Sequence, residues 1–195
     1  MVDERRLRAL LDELAEFGRQ NDERETERDR RLLNITPETG QFLAILVRAM
    51  RAQRILEIGT SNAYSTIWLA WAAAETDGHV TTIERAADKV AIARTNLQRA
   101  GLTDRVTVVH GPALDVLADL PGPFDLIFLD ADRPSYDSYL DLLLPRLRRG
   151  GLLVTDNVTS HAAELADFLR RLKTQPEVDT VTLLLGNGEE LTYKR

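Results

Sequence analysis

The chain has 195 residues, 44% of them hydrophobic and 29% charged, and a formal net charge of −6. That composition suits one globular domain with a sizeable core. No apolar run approaches the ~20 residues needed to span a bilayer, and the acidic balance argues against nucleic acid as the main partner. Cysteine is absent, which excludes disulfides and thiolate metal sites. The charged, amphipathic start lacks the apolar core of a signal peptide. A cytoplasmic protein with no membrane attachment is expected.

The first segment, residues 1–35, reads as helical and separate from a single domain over 36–195. Leu7, Leu10, Leu11, Leu14 and Phe17 recur at helical spacing. Residues 19–31 are almost wholly polar, which fits an exposed helix or a mobile connection. Thr36-Pro37-Glu38 marks a helix start, with Thr36 as N-cap and Pro37 in the first turn.

From Arg54 short apolar strands alternate with helices. RILEIG, HVTTIE, RVTVVHG, FDLIFLD and LLVTDN read as strands. Helices are expected after the first strand, over 87–100 closed by Gly101, near 114–120, over 135–148 closed by Gly150-Gly151, and over 162–173. The tail turns back around Gly186-Asn187-Gly188 as a hairpin. This alternation predicts right-handed crossovers and a doubly wound, mostly parallel α/β sheet with helices on both faces and one antiparallel strand at the end.

In such sheets ligands bind beyond the carboxyl ends of the strands. Those ends carry Glu57-Ile58-Gly59, Glu84, Gly111, Asp130 and Asp156-Asn157, so acids terminate four of five strands. Glu84 lies 25 residues after Gly59, where an acid takes the hydroxyls of a ribose. The loop Gly59–Ser65, GTSNAYS, has a single glycine and no lysine, so it matches neither a dinucleotide fingerprint nor a P-loop. A nucleoside without a pyrophosphate is implied. S-adenosylmethionine fits, its amino-acid end within reach of Glu57, Gly59 and Ser65. Asp130, Asp156 and Asn157 are hard oxygen ligands suited to a divalent cation such as Mg²⁺, Ca²⁺ or Mn²⁺.

RILEIGTSNAYSTIWLA, VTTIE, ADKVAIARTNLQRAGL, FDLIFLDADRPSY and LRRGGLLVTDNV, in that order, resemble the cation-dependent class I O-methyltransferases of catechols and caffeoyl-coenzyme A. The resemblance runs from about Thr36 to the end. It implies seven strands, a homodimer to which the Leu7–Phe17 stripe would contribute, and methyl transfer to a hydroxyl of a small phenolic acceptor. By the same resemblance, Glu57, Gly59, Tyr64 and Ser65 would cradle the methionine part of the cofactor. Glu84 would hold the ribose, Arg85 would lie beside the adenine, and His110–Leu114, with Gly111 and Ala113, would line the adenine pocket. Asp130, Asp156 and Asn157 would hold the cation, and Glu190 would lie near an acidic substrate contact.

Three positions depart from that pattern. Ala63 replaces a glycine, Pro112 an aspartate, and Arg133 the lysine that serves as general base. A guanidinium cannot take up that role near neutral pH, so Arg133 is expected to act electrostatically. The alternative for Arg133 is an exposed arginine paired with Asp132 or Asp137. His161 is the nearest other candidate base in sequence, against its plainer reading as a surface helix-capping histidine. Trp68 and Trp71 are expected in the core. The rival functional readings are a metal-independent methyltransferase and a cofactor-binding module without turnover; a NAD-dependent dehydrogenase fits the loop poorly.

Overall fold

The computed structural model describes residues 3–195. Its elements in chain order are α1 (Glu4–Arg24), α2 (Pro37–Met50), β1 (Arg54–Ile58), α3 (Tyr64–Glu75), β2 (His79–Glu84), α4 (Ala87–Ala100) and β3 (Val106–His110). They continue with α5 (Ala113–Asp119), β4 (Phe124–Leu129), α6 (Tyr136–Arg146), β5 (Leu147–Thr155), α7 (Ala166–Lys173), β6 (Val178–Leu183) and β7 (Glu189–Lys194). The seven strands form one sheet in the order β3-β2-β1-β4-β5-β7-β6. The first five run parallel, and β7 is inserted antiparallel between β5 and β6. The direction of winding reverses between β1 and β4, which is where such sheets open a crevice.

Alternate residues of each central strand feed two cores. Ile55, Val80, Leu126, Phe128 and Val154 pack with α1–α4 on one face. Leu56, Ile58, Ile83, Ile127, Leu129 and Leu153 pack with α5–α7 on the other. The near-continuous apolar strands thus follow from burial on both sides. Trp68 and Trp71 lie in the first of these cores, as expected, with Trp71 between the guanidiniums of Arg8 and Arg48, each 5.1 Å from its ring. No helix among the described residues is long and apolar enough to cross a membrane.

Three element boundaries differ from the sequence expectation. The helix expected to run to residue 148 ends at Arg146, just after Pro145, which cannot donate a backbone hydrogen bond. Strand β5 begins at once and carries Gly150 and Gly151 within it. A Cβ on Gly151 would stand 2.9 Å from the Arg148 carbonyl oxygen and 3.0 Å from that of Asp125, so the pair forms an irregular stretch of strand instead of a helix cap. Helix α7 starts at Ala166, later than expected, after a series of turns that carries Ser160 and His161.

Helix α1 is part of the first core. Its N-cap Asp3 accepts from the Arg5 and Arg6 amides, and Leu7, Leu10, Leu11 and Leu14 are buried in its own chain. Of the stripe expected to serve a dimer, Phe17 alone is exposed. The polar stretch after it turns back across the sheet edge. Asn34 donates to the Leu14 carbonyl, and Gly18 leaves room for its amide, since a Cβ there would stand 2.3 Å from Asn34 Nδ2. Leu11 is 2% exposed. Leu11→Ala is expected to cost about 2–5 kcal/mol in urea unfolding through loss of burial and the cavity left behind. A cost near zero would show that α1 does not share the cooperative core.

Candidate functional site

The strand ends are stitched one residue beyond the sheet. Gly59 N–H donates to Ile83 O, Asp130 N–H to Ile58 O, Asp156 N–H to Leu129 O and Gly111 N–H to Glu84 O, all at 2.9–3.1 Å. Gly59 has φ +99°, and a Cβ there would lie 2.0 Å from the Asp130 carbonyl oxygen. Only glycine permits that approach. The chain then turns through Ser61 and Ala63 at positive φ into α3. The alanine in place of the family's glycine therefore sits in the left-handed region, at a cost of about 1–2 kcal/mol.

A cavity of about 710 Å³ opens at these ends. Gly59, Tyr64, Ser65, Glu84, Arg85 and Ala113 line one part of it, and Asp130, Arg133 and Asn157 another. Three of the expected site residues do not line it: Glu57 and Asp156 are buried, and Gly111 is half-buried. Glu84 takes the amides of Ser61 (2.8 Å) and Ala86 (2.9 Å). Each carboxylate oxygen accepts one of these bonds and keeps a further lone pair.

Glu57 is fully buried and accepts from Ser65 Oγ (2.6 Å), Thr66 Oγ1 (2.5 Å) and Thr82 Oγ1 (2.6 Å). Burial pushes its carboxyl up to about 7, against the pull of the three hydroxyls. In this arrangement it fixes the base of the loop and the start of α3.

The second group is acidic: Asp156 is buried, and Asp130 and Asn157 are half-buried at the cavity wall. Burial raises the Asp130 carboxyl well above its ordinary range, and the neighbouring Asp156 adds to this. Burial raises Asp156 as well. Asn157, at φ +72°, donates its amide to Asp130 Oδ1 at 2.8 Å, and its backbone N–H to Asp156 Oδ1 at 2.7 Å. Among the described residues no three His, Cys, Asp or Glu side chains gather as a metal site. This set has two carboxylates and one amide, whose oxygen is presented if the amide turns over. Two neighbouring acids that repel each other, one buried and one at the cavity wall, with an amide oxygen available, fit one hard divalent cation.

Behind Asp156 lies Glu189, also fully buried, which accepts from Thr39 Oγ1 at 3.0 Å. Its carboxyl is raised by burial and by Asp156. The adjacent Glu190 does not line the cavity. It is buried against Thr180 and Thr182, 3.6 Å from Lys173.

Arg133 is not a surface arginine. Its side chain is 10% exposed, and Nε meets Glu164 at 2.6 Å. Asp132 is taken by Ser135 and by Tyr139 Oη (2.8 Å), and Asp137 lies by Arg171. His161 lines the same cavity, its Nδ1 2.9 Å from Ser160 Oγ. Burial, then Arg133, holds it below its ordinary value, which favours the neutral imidazole.

Several wall residues were not legible as such in the sequence. Ser61 Oγ donates to Leu32 O (2.7 Å) and Lys89 Nζ to Arg31 O (2.7 Å), while Asp22 accepts from the Leu32 and Leu33 amides. These contacts draw residues 28–35 over the cavity as a strap. Asn187, read only as a turn residue, also lines it, because Val158 N–H donates to Gly188 O and Thr159 N–H to Asn187 O. The turn residues and the Asp22 contacts, made across ten and eleven residues, carried no pattern from which their place could be read.

An open α/β sheet of this order, with a nucleoside-type acid after β2 and an acidic group after β4 and β5, defines a class I methyltransferase fold. The profile of the O-methyltransferase family matches residues 7–195, and the chain belongs to that family. It is 46% identical over 134 residues to a catechol O-methyltransferase of Mycobacterium tuberculosis, and 42% over 130 residues to one of Niastella koreensis. These matches cover 68% and 65% of this chain and 60% and 58% of the relatives, so the chain spans about three fifths of their length. Among solved structures, the O-methyltransferase of Bacillus cereus in complex with SAH superposes with a TM-score of 0.82 at 30% identity, covering 96% of this chain and 91% of that one. TomG of Streptomyces achromogenes, in complex with SAM, gives 0.79 at 30% identity, covering 100% and 92%.

Glu57 generates a pH prediction. The folded state keeps its proton up to about 7, while the unfolded chain releases it at about 4.5. The folded state therefore binds more protons between those values, and stability is lost as pH rises through that window. Relative to Glu57→Gln, the wild type should lose about 3 kcal/mol from pH 4 to pH 8. Parallel urea titrations of both proteins cancel the other acids, and a constant difference across this range would contradict the assignment.

Proposed function

We propose that this chain transfers the methyl group of S-adenosylmethionine to a hydroxyl of a small phenolic, catechol-like acceptor, with a divalent cation at Asp130, Asp156 and Asn157. The observation that carries the reading is that one cavity joins the Glu84 loop to the Asp130–Asn157 group. The ribose hydroxyls would meet Glu84, and the amino-acid end would lie along Gly59, Tyr64 and Ser65. Arg85 and Ala113 would flank the base. The named catechol enzymes at 46% and 42% identity support the acceptor class, and the SAH- and SAM-bound relatives support the cofactor.

When bound, S-adenosylmethionine supplies the methyl group, and the cation supplies positive charge that acidifies the acceptor hydroxyl. The protein supplies alignment, through the loop held by Glu57 and the strap held by Ser61 and Lys89. It also supplies a fixed cation. Arg133, braced by Glu164, faces the cavity and favours an anionic acceptor oxygen without exchanging a proton. His161, held toward its neutral form and lining the same space, is the one observation that favours a second reading, in which its imidazole takes the acceptor proton.

Calorimetry should show S-adenosylhomocysteine binding and NAD not binding. Glu84→Ala should weaken the former about 10- to 100-fold through loss of charge-assisted hydrogen bonds. Equal affinity in both proteins would remove Glu84 from the ribose site.

Turnover of a phenol panel should require Mg²⁺ and vanish with a chelator; activity that survives chelation contradicts the cation. On an accepted phenol, Arg133→Ala should lower kcat and move the alkaline limb of the rate profile to higher pH, because the acceptor loses a cation that stabilises its anion. An unchanged profile would assign the proton step to His161.

A further inference from the structure

We infer that the acceptor carries an anionic substituent, a carboxylate on the phenolic ring, read by Arg28 at the rim of the cavity. The inference rests on the methyltransfer reading above and names its substrate class.

Four cations line the cavity: Arg28, Arg85, Lys89 and Arg133. Three are committed within the described residues. Arg85 lies 3.3 Å from Asp29, Lys89 donates to the Arg31 carbonyl, and Arg133 Nε meets Glu164. Arg28 has no side-chain hydrogen bond or ion pair among the described residues, although Glu25, Glu27 and Asp29 are its neighbours in the chain.

The lining acids are engaged in turn. Asp22 holds the Leu32 and Leu33 amides, Asp29 faces Arg85, and Glu84 takes two amides. Asp132 accepts from Tyr139 Oη and Ser135 Oγ, and Asp130 from Asn157. What the cavity offers an incoming ligand is therefore an uncommitted positive charge.

Its position is equally specific. Arg28 is close enough to both His161 and Glu164 to affect their charge, and Arg133 joins the same group. The strap thus brings Arg28 into the same lining as Arg133 and His161, from the turns after β4 and β5, while its neighbour Asp29 faces Arg85. An acceptor whose hydroxyl points to Asp130 and Asn157 presents the far side of its ring to this rim. A carboxylate there would meet Arg28, with the Arg133 guanidinium adding long-range attraction. A neutral or cationic substituent would leave the rim charge unanswered.

The test compares two acceptors of one shape, 3,4-dihydroxybenzoate and 3,4-dihydroxybenzamide, with S-adenosylmethionine and Mg²⁺ saturating. The wild type should favour the acid in kcat/KM by about tenfold, mainly through KM. That preference should shrink as salt is raised, as expected for a rim charge. Arg28→Ala should abolish the preference by raising KM for the acid, and Arg28→Lys should restore part of it. The strap position is exposed, so neither substitution threatens the fold, and thermal unfolding of each variant checks this. Equal kcat/KM for acid and amide in the wild type overturns the inference while leaving methyl transfer standing. So does an acid preference that survives in Arg28→Ala. Absence of turnover on any phenol, with S-adenosylhomocysteine bound, overturns the methyltransfer reading and this inference with it.

Discussion

The site depends on the contact between Gly59 and Asp130. The two central strands of the sheet end side by side, and the backbone leaving β1 passes so close to the Asp130 carbonyl that a Cβ would lie 2.0 Å from it. This approach keeps two groups of polar residues at the strand ends together. The loop of Gly59–Ser65 leaves on one side, and the acidic group of Asp130, Asp156 and Asn157 stands on the other. A side chain at residue 59 would push the strand ends apart and separate them. The hydrogen bonds that continue past each strand hold the approach in place.

Around that contact the protein buries acids at a cost and offsets it in different ways. Glu57 is answered by three hydroxyls and remains a neutral acid over much of the acidic range. Asp130 and Asp156 have fewer donors and each other for neighbours, so their burial is tolerable chiefly when protonated or opposed by positive charge. Glu189 extends the same cluster toward α2 through Thr39. The contrast separates a structural carboxyl, wrapped by the loop it braces, from carboxyls whose surroundings are incomplete and therefore suited to a ligand.

The N-terminal region closes the cavity from the opposite direction. Helix α1 contributes four leucines to the first core, and that fixed helix allows the polar strap after it to be drawn across the strand ends by Ser61, Lys89 and Asp22. The strap buries Leu32 and Ile35 and is otherwise held by several side chain–backbone hydrogen bonds. Its position is therefore a consequence of the core beneath it, and its exposed residues, Arg28 among them, stand at the rim of the cavity.

The sequence by itself determined the alternation of strands and helices, because the apolar runs, Gly101 and Thr36-Pro37 are local signals. It also determined which residues end the strands, and so that Glu84, Asp130 and Asn157 meet at one edge of the sheet. It did not determine what those residues face. Glu57 reads as a strand-end acid but turns inward, since alternation along β1 directs it toward Ser65, Thr66 and Thr82, residues distant in the chain. Glu189 and Glu190 are adjacent and read alike, yet the pleat of β7 sends one to Asp156 and the other to Lys173. The alternative open to Arg133 in the sequence, a local pair with Asp132 or Asp137, does not form; it meets Glu164, 31 residues away. Periodicity is a property of neighbours in sequence, whereas the partner of a charged side chain is chosen by whichever distant segment the packing brings within reach, and only the tertiary structure makes that choice.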